Sequence, residues 1–471
     1  MNNYFSIDRI HWIYPILMSL IFSTSLQAIS FSAEETQDTQ KVLTLQQLAE
    51  VTLHNDPWLA GNQYTEESIK DLSISASTLP DPKVTLGLNN IAANSFNFSQ
   101  EGMTSFSIGL SQNIPRGDSL ALKKQQLELM GSQYPYQRLN RKALLILTSS
   151  KIWLEAYRAQ QSIELIEQDR GLFKQLADVA QVSYSSTAGR TRQQDLIRAD
   201  LELINLDDRL MQLKQKRDMA LKKLLEWLSD YSVDQYNSRS LGATQLSLAK
   251  TLPDIKMLNS ALYQSELPIK PEKLYPYLAD HPAILSLEQK IKASEKGIEL
   301  AKQKYKPEWG LNAAYGYRDH DLLGNTRSDL FSVGISFDLP FFTANRQDKQ
   351  VKSAINQSES VKTEKWLAIR QLMAEFESTR YKLIRLNERR ELFNNKLLPQ
   401  THIQAEASLT AYTNDAGDFA EVVRARIAEL NASLEKLTID VDRQQSIIEL
   451  NYLFMKQPMN MIESAVAQGE K

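Results

Sequence analysis

The sequence contains one structural unit that is written twice. Three motifs of the first half return in the second half, each of them 225 positions later. The paired motifs are Asn55-Asp56-Pro57 with Asp280-His281-Pro282, Pro82 with Pro307, and residues 106–115 with residues 331–340. A constant offset over so long a stretch indicates a duplicated unit. We therefore expect a fold that is built from two equivalent copies.

Charge and composition exclude several classes of protein. The 54 basic and 57 acidic residues give a net charge of -3, which offers no support for a nucleic-acid-binding surface. The chain has no cysteine, so disulfides, thiolate metal sites and cysteine nucleophiles are excluded. Stability must come from packing, from closure of the fold or from oligomerisation.

Residues 1–30 have the layout of a secretory signal peptide. Arg9 precedes an apolar core at 13–22, and Ala28-Ile29-Ser30 fits a cleavage site of small residues, although cleavage after Ala28 fits about as well. The apolar core is short for a spanning helix, which argues against the alternative of a retained membrane anchor. No other apolar run reaches the roughly 18 residues that a spanning helix needs, so any other membrane crossing must use strands.

Four stretches alternate apolar and small polar residues with the period of two that is typical of strands. They cover about 83–93, 104–114, 308–317 and 329–339. Alternation alone would also fit a soluble sandwich. The lengths suit a tilted transmembrane strand of about 9–11 residues, and aromatic residues at the strand ends resemble the interfacial girdle of a barrel. Polar loops at 89–103 and 318–328 then suit the cell exterior.

Four strands cannot close into a transmembrane barrel by themselves. Open sheet edges do not occur in lipid, and bacterial barrels begin at about eight strands. The chain must therefore supply one sector of a barrel that several chains share.

Long helical stretches surround the strand pair of each copy. They cover 44–79, 116–183 and 191–228 in the first copy and 270–305, 343–411 and 419–456 in the second. The middle stretch of each copy would be roughly 100 Å long if continuous, and Pro135 and Pro399 are expected to interrupt it. The returning stretches carry apolar residues at coiled-coil spacing. The predicted domains are a first repeat at 42–228, an equatorial inter-repeat segment at 229–269, a second repeat at 270–456 and a polar, frayed tail at 457–471.

Motifs of catalysis and of cofactor binding are missing from the sequence. It has no Gly-rich phosphate loop, no H-E-x-x-H and no nucleophile elbow, so we expect neither an enzyme nor a bound cofactor. Asp319-His320-Asp321 contains metal-ligand types, but three adjacent residues rarely converge on one ion, so no metal site is predicted. His54 and His281 each lie close to a proline in a helix-start context, where capping or a solvated side chain is the expected role.

Several motifs resemble the TolC-type outer-membrane efflux channel family, the outer membrane factors. Residues 43–50 with Asn55-Asp56-Pro57 look like the family's opening, and the likeness extends over about residues 42–455. Residues 79–88 and 110–117 look most like its heavy-metal, CzcC/CusC-like branch. The resemblance implies a mainly α fold with a transmembrane β-barrel sector, in which a homotrimer forms a 12-strand barrel and an α-helical periplasmic tunnel.

The same resemblance implies a function and partners. The chain would be the outer-membrane exit duct of a tripartite efflux system and would passively conduct cations, heavy metals or drugs from periplasm to exterior. Its partners would be a periplasmic adaptor protein, an inner-membrane pump of the proton-driven RND type and outer-membrane lipid. A type I protein-secretion channel is the alternative within this class. A barrel-anchored adhesin or structural protein would need a large exterior domain, and the two loops are too short to form one.

In this family the periplasmic mouth, where the adaptor docks, lies at the turns that precede the returning helices. Here these turns are 184–192 and 412–419, and the motifs that begin at Asp195 and Glu421 match the family's helix starts. The candidate mouth, gate and docking residues are Gly189, Arg190, Arg192, Asp195, Tyr412, Asp415, Gly417, Asp418, Glu421 and Arg424. Some members carry a basic residue in place of Asp418 and an acid in place of Arg424, so a latch of that pattern is not expected here.

Acidic residues cluster at the second of these turns. Under threefold symmetry Asp415, Asp418 and Glu421 would form acidic rings, which favour cations at a constriction. Arg190 or Arg192 would be their ion-pair partners. The alternative is an acidic first turn that only stabilises the amino terminus of a helix.

Overall fold

The computed structural model describes residues 42–185, 192–228, 247–263, 268–414 and 416–462. The predicted signal peptide at 1–30 and the candidate residues Gly189, Arg190 and Asp415 lie outside the described residues. Most of the described residues are helical.

Both copies consist of short helices, a strand pair, an interrupted long helix and a returning helix. The first copy contains β1 (Val42–Leu43), α1 (Leu45–Asn55), α2 (Pro57–Ser75), β2 (Lys83–Asn89), β3 (Ser105–Ile114), α3 (Ser119–Gly131), α4 (Tyr134–Ser185) and α5 (Gln193–Leu228). The inter-repeat segment contributes β4 (Ser247–Leu248), which pairs parallel to β1, and a 3-10 turn (Ser260–Tyr263). The second copy contains α6 (Pro271–Ala279), α7 (Pro282–Lys302), β5 (Trp309–Tyr317), β6 (Leu330–Phe337), α8 (Gln347–Leu392), α9 (Leu398–Thr413) and α10 (Phe419–Leu453). This order confirms the duplication and the mainly helical fold class that the sequence predicts.

Equivalent caps start α2 and α7. The carboxylate of Asp56 and the Nδ1 atom of His281 each accept a hydrogen bond from the backbone N–H two residues on, both at 3.3 Å. A proline follows each cap, at a position where the missing N–H costs nothing. Asp56 forms an ion pair with Arg141 at 2.9 Å, whereas His281 is 1% exposed and packs edge-on against Tyr452. The first copy therefore uses an ionic cap, and the second copy uses a neutral, buried one.

The long helix of each copy is interrupted just before its proline. In the first copy the chain leaves α3 at Ser132 and enters α4 at Tyr134, so Pro135 lies in the first turn of α4. In the second copy a single π turn at Phe393–Leu397 joins α8 to α9, and Pro399 lies in the first turn of α9. Because proline lacks the N–H that a helix interior requires, a break or a wide turn accommodates it. Both predicted interruptions are present.

None of the described helices combines the length and the apolar character of a membrane-spanning helix.

The four longer strands form one antiparallel sheet in the order β2-β3-β5-β6. Its register brings apolar side chains of neighbouring strands to the same face, with Leu86 opposite Ile108 and Tyr315 opposite Phe331. That face is exposed along the sheet at Val84, Leu86, Leu88, Ile108, Leu110, Leu311, Tyr315, Phe331, Val333 and Ile335. The opposite face carries mainly serine, glycine and asparagine. An exposed apolar face of this extent needs a non-aqueous neighbour.

Two strands end earlier than the sequence predicts. β2 ends at Asn89 rather than near residue 93, because Asn90 has a φ of 53° and turns the chain out of the sheet. The carbonyl of Asn90 then accepts a hydrogen bond from Thr104 Oγ1 at 2.8 Å, which ties the two ends of the loop together. β6 ends at Phe337 rather than 339, ahead of Pro340, which cannot donate a ladder hydrogen bond.

The main core lies where the short helices and the inter-repeat segment pack against the long helices. Trp153 is fully buried, stacks on Tyr157 and donates its Nε1–H to the carbonyl of Leu43 at 3.0 Å. The end of the described chain joins this core as a 3-10 turn at 458–462, where Met461 is fully buried and its carbonyl accepts from Asn451 at 2.9 Å. Burial of its apolar side chains orders this segment, in contrast to the frayed tail predicted for 457–471. Residues 463–471 lie outside the described residues.

One arginine joins the first copy to the second where strands give way to helices. Arg116 follows β3, and its guanidinium donates to the carbonyls of Lys304 at 3.3 Å and Lys306 at 2.9 Å. It also forms ion pairs with Glu308 at 3.6 Å and with Asp338. We call these five residues the Arg116 clasp. The clasp binds the end of β3 to the start of β5 and the end of β6.

We expect Arg116→Lys to destabilise the protein although it keeps the positive charge. A lysine ammonium cannot reproduce the forked donors that reach two carbonyls and two carboxylates. Losing hydrogen bonds of a charged group costs about 2 kcal/mol. The measurement is thermal unfolding of the detergent-solubilised protein by circular dichroism. Arg170→Lys, which alters an exposed ion pair with Asp207, is the matched control, and equal effects of both variants would contradict the role of the clasp.

Acid should destabilise the fold through His281. Burial lowers the pKa of His281 from 6.5 to about 4. Between these pH values the unfolded chain binds more protons than the folded chain, so the free energy of unfolding falls as the pH falls. The full loss is about 3 kcal/mol. Protonation of Nδ1 would also remove the lone pair that caps α7.

The variant His281→Asn tests this pH dependence because asparagine caps helices and does not titrate. The drop in unfolding temperature between pH 7 and pH 4.5 should be smaller in His281→Asn than in the wild type. His320→Asn, at an exposed loop histidine, should behave like the wild type. An equal drop in the wild type and in His281→Asn would show that His281 does not govern the acid response.

Candidate functional site

A glycine closes the turn that joins α9 to α10. After α9 the backbone N–H of Ala416 donates to the carbonyl of Ala411 at 2.9 Å. A Cβ atom on Gly417 would lie 2.8 Å from the backbone nitrogen of Tyr412 and 3.0 Å from the Cβ of Ala411. Since side chains do not tolerate contacts this close to the backbone, glycine permits the tight reversal of the chain.

Asp418 and Phe419 start the returning helix α10. The carboxylate of Asp418 accepts a hydrogen bond from the backbone N–H of Ala420 at 3.2 Å, which makes Asp418 the N-cap. Phe419 is 2% exposed, and its ring lies 5.6 Å from the ring of Tyr412. The apolar contact between Phe419 and Tyr412 fixes the end of α9 against the start of α10.

Glu421 follows in the first turn of α10. Its carboxylate pairs with the guanidinium of Arg424 at 2.9 Å, and the side chain of Arg424 is 68% exposed. This pair offsets the charge of Glu421 within its own helix. The carboxylate of Asp418 lies in an exposed residue and forms no ion pair with a described cation. Among the described residues of this turn, Asp418 therefore carries the negative charge that no ion pair offsets.

Asp195 has a corresponding position in the first copy. It is 5% exposed, and its carboxylate accepts a hydrogen bond from the backbone N–H of Arg192 at 3.0 Å. Asp195 thus stabilises the start of α5 instead of facing solvent. Across the part of the chain that the structure describes, no ion pair joins Arg192 to Asp418 or Glu421. The pairing of Arg190 or Arg192 with acidic rings of three chains stays a prediction.

The second copy also matches a known family in its sequence. Residues 274–454 match the family described as outer membrane efflux protein. The match lies within the second copy, and the first copy is outside the matched residues.

The fold of this chain is similar to that of solved outer-membrane channels. The channel OprN has a TM-score of 0.70 at 15% identity, over 88% of this chain and 90% of that chain. The Campylobacter jejuni channel CmeC has a TM-score of 0.68 at 14% identity, over 91% and 87%. CusC has a TM-score of 0.65 at 15% identity, over 87% and 91%. Among curated proteins, none matches this sequence.

A charged cluster joins α9 to α10 near the turn that connects them. Arg426 on α10 pairs with Glu429 on its own helix at 2.9 Å and with Glu406 on α9 at 2.6 Å. The Nδ1 atom of His402 on α9 lies 2.6 Å from a carboxylate oxygen of Glu429. The side chain of Arg426 is only 10% exposed, so the centre of the cluster is largely desolvated. We call these four residues the α9–α10 clamp.

The clamp shifts the titration of carboxyl groups around it. The hydrogen bond and the charge of Arg426 hold the pKa of Glu406 below its ordinary value. Burial raises the pKa of Asp169 on α4, and the negative charge of Glu429 adds to this effect. Arg426 therefore balances several carboxylates at once. This cluster is not predicted from the sequence, because a charged residue beside an apolar stripe is usually solvated. The one signal for it is the opposite charge of Glu406 and Arg426 on adjacent helices.

We expect Arg426→Met to weaken the packing of α9 against α10 at neutral pH. Removing the cation leaves Glu406, Glu429 and Asp169 without compensation and costs about 3 kcal/mol. The defect should shrink at pH 4.5, where protonation relieves the repulsion between the carboxylates. Thermal unfolding at both pH values measures this difference. Arg389→Met, which removes an exposed pair with Glu435, is the control, and a defect of Arg426→Met that does not depend on pH would count against the clamp.

Proposed function

We propose that three copies of this chain form the exit duct of a tripartite efflux system in the outer membrane. The observation that carries the proposal is the exposed apolar face of the β2-β3-β5-β6 sheet, whose outer strands β2 and β6 pair on one side only. Lipid does not tolerate open backbone groups, so sister chains must complete the sheet into a barrel. The long helices that follow each strand pair would extend the passage into the periplasm.

The opposite face of the sheet supports passive conduction. It carries small polar side chains such as Ser107, Asn312 and Ser336, which are compatible with water and hold no charge. In the part of the chain that the structure describes, no group of three or more histidine or carboxylate side chains is placed to hold a metal ion. A wall of this kind lets solutes pass without binding them tightly.

The acidic turn at the start of α10 supports a preference for cations. Asp418 is exposed, whereas the charge of Glu421 is offset by Arg424. Three symmetry-related copies of Asp418 would form a ring that attracts cations at the mouth and repels anions. Asp418 has two roles in this proposal, because its carboxylate also caps the helix.

We infer that metal cations are the favoured cargo, on the likeness of residues 79–88 and 110–117 to the heavy-metal branch. The fold does not distinguish metals from drugs. A periplasmic adaptor and a proton-driven inner-membrane pump are the proposed partners, and the turns before α5 and α10 are the proposed docking ends.

The variant Asp418→Asn separates the two roles of Asp418, because asparagine caps a helix as well as aspartate but carries no charge. In planar bilayers under a salt gradient, the reversal potential of Asp418→Asn should move towards that of a non-selective pore. Asp195→Asn, at a buried carboxylate, is the matched control and should leave the potential unchanged. If Asp418→Asn keeps the wild-type potential, the acidic ring does not select ions.

The cargo is tested in cells. Deletion of the coding region should lower resistance to particular metal salts, and expression of the full chain should restore it. A parallel panel of drugs provides the comparison. Unchanged resistance to every metal and drug, together with loss of a secreted protein from the medium, would favour the type I secretion channel instead.

A further inference from the structure

Because the chain is duplicated, a contact between the first copy and the second should have a counterpart at the equivalent positions of the second copy. Within one chain, the segment after β3 docks on the second copy through the Arg116 clasp. At the adjacent Gly117, which has a φ of 46°, an added Cβ would collide with the side chain of Lys306. The junction of the first copy therefore lies directly on the segment before β5.

The equivalent side chains in the second copy are apolar and exposed. The residues 225 positions after Arg116 and Gly117 are Phe341 and Phe342, whose side chains are 75% and 93% exposed. In the other direction, the residue 225 positions before Lys304 is Leu79, which precedes β2 and is 54% exposed. β2 and β6 lie at opposite edges of the sheet, so these segments cannot meet within one chain.

We propose that Phe341 and Phe342 of one chain pack on the segment 79–83 before β2 of the next subunit. This inference rests on the proposed shared barrel, and it identifies the residues that join neighbouring subunits at the boundary between barrel and helices. The contact takes the place of the Arg116 clasp, with aromatic rings on Leu79, Pro80 and Pro82 instead of a guanidinium on carbonyls and carboxylates. Burial of these apolar side chains would supply the attraction.

Strand pairing under the same offset agrees with this placement. Within the chain Gln112 pairs with Leu311 and Ile114 with Trp309. Each residue of these pairs can be replaced by its counterpart in the other copy, 225 positions away. Phe337 then pairs with Leu86 of the next subunit, and Leu339 pairs with Val84. All four of these side chains are exposed in the single chain. Their pairing would continue the apolar face without interruption from one subunit to the next.

The β2–β3 and β5–β6 hairpins differ slightly in the register of their strands. Thr85 pairs with Gly109, whereas Gly310 pairs with Ser336 instead of Gly334, a difference of two residues. A shift of two residues leaves every side chain on its original face, because the side-chain period of a strand is two. The continuity of the apolar face across the subunit boundary is therefore insensitive to this difference.

Membrane lipid is the other candidate neighbour of Phe341 and Phe342, since aromatic side chains also line the interfaces of membrane barrels. Cysteine cross-linking distinguishes the two, because the chain has no cysteine of its own. We choose Phe342→Cys with Asp81→Cys, which correspond by the offset to Gly117 and Lys306. After mild oxidation in membranes, non-reducing gels should show a covalent trimer that a reductant converts to monomer.

The control is Phe342→Cys with Leu323→Cys, whose second site lies in the loop at the other end of the strands and is 88% exposed. This pair and each single variant should give no covalent trimer. In a second test, Phe342→Asp should lower the temperature at which the trimer dissociates in detergent. Phe96→Asp, at an exposed loop residue, should leave that temperature unchanged.

Two results would overturn the inference, and they can be told apart. If the protein forms conducting trimers but neither cross-links nor weakens in Phe342→Asp, the subunit contact is wrong while the duct remains. Quenching of a fluorophore on Phe342→Cys by brominated phospholipid would then identify lipid as the neighbour. If no oligomer forms in membranes at all, the proposed shared barrel fails and the inference fails with it.

Discussion

The structure depends on a rule of backbone hydrogen bonding in lipid. Each N–H and C=O group of a strand must find a partner, because the hydrocarbon core of a membrane offers no water. The described sheet has four strands, an exposed apolar face and two edges that are unpaired within the chain. A single chain cannot satisfy both edges. In the proposed duct, the need for oligomerisation follows from this constraint.

Duplication provides two copies of one design, and the structure shows where the copies have diverged. The helix caps are ionic at Asp56 and neutral at His281, although both accept a hydrogen bond from the same backbone position. The junctions after the strand pairs differ in a similar way, since one is built on Arg116 and the other exposes Phe341 and Phe342. The caps keep the same backbone hydrogen bond, while the side-chain environment changes in both pairs. Divergence of this kind is expected when one copy faces its own chain and the other faces a neighbour.

At the turn between α9 and α10, the same side chains serve structure and electrostatics. Asp418 caps a helix and is exposed, Glu421 is held by Arg424, and Arg426 binds carboxylates on both helices a little above. Charges that are satisfied within the helix pair contribute little to the electrostatic field at this turn. Among the described residues of the turn, the exposed carboxylate without an ion pair is that of Asp418.

The sequence by itself determined the repeat, the mainly helical class, the four strands and the interruptions at Pro135 and Pro399. These features follow from local rules: a period of two, a period near 3.6 and the missing N–H of proline. The candidate acids were also visible as helix starts. Only the tertiary structure decided that Asp195 is buried, that Glu421 pairs with Arg424, and that Arg426, Glu406, His402 and Glu429 form one cluster. It also showed that Met461 is buried in the core and that Asn90 ends β2 early. Burial and the contacts between α9 and α10 depend on how the helices pack together, and a hydrophobicity pattern does not record which charged side chains will face each other.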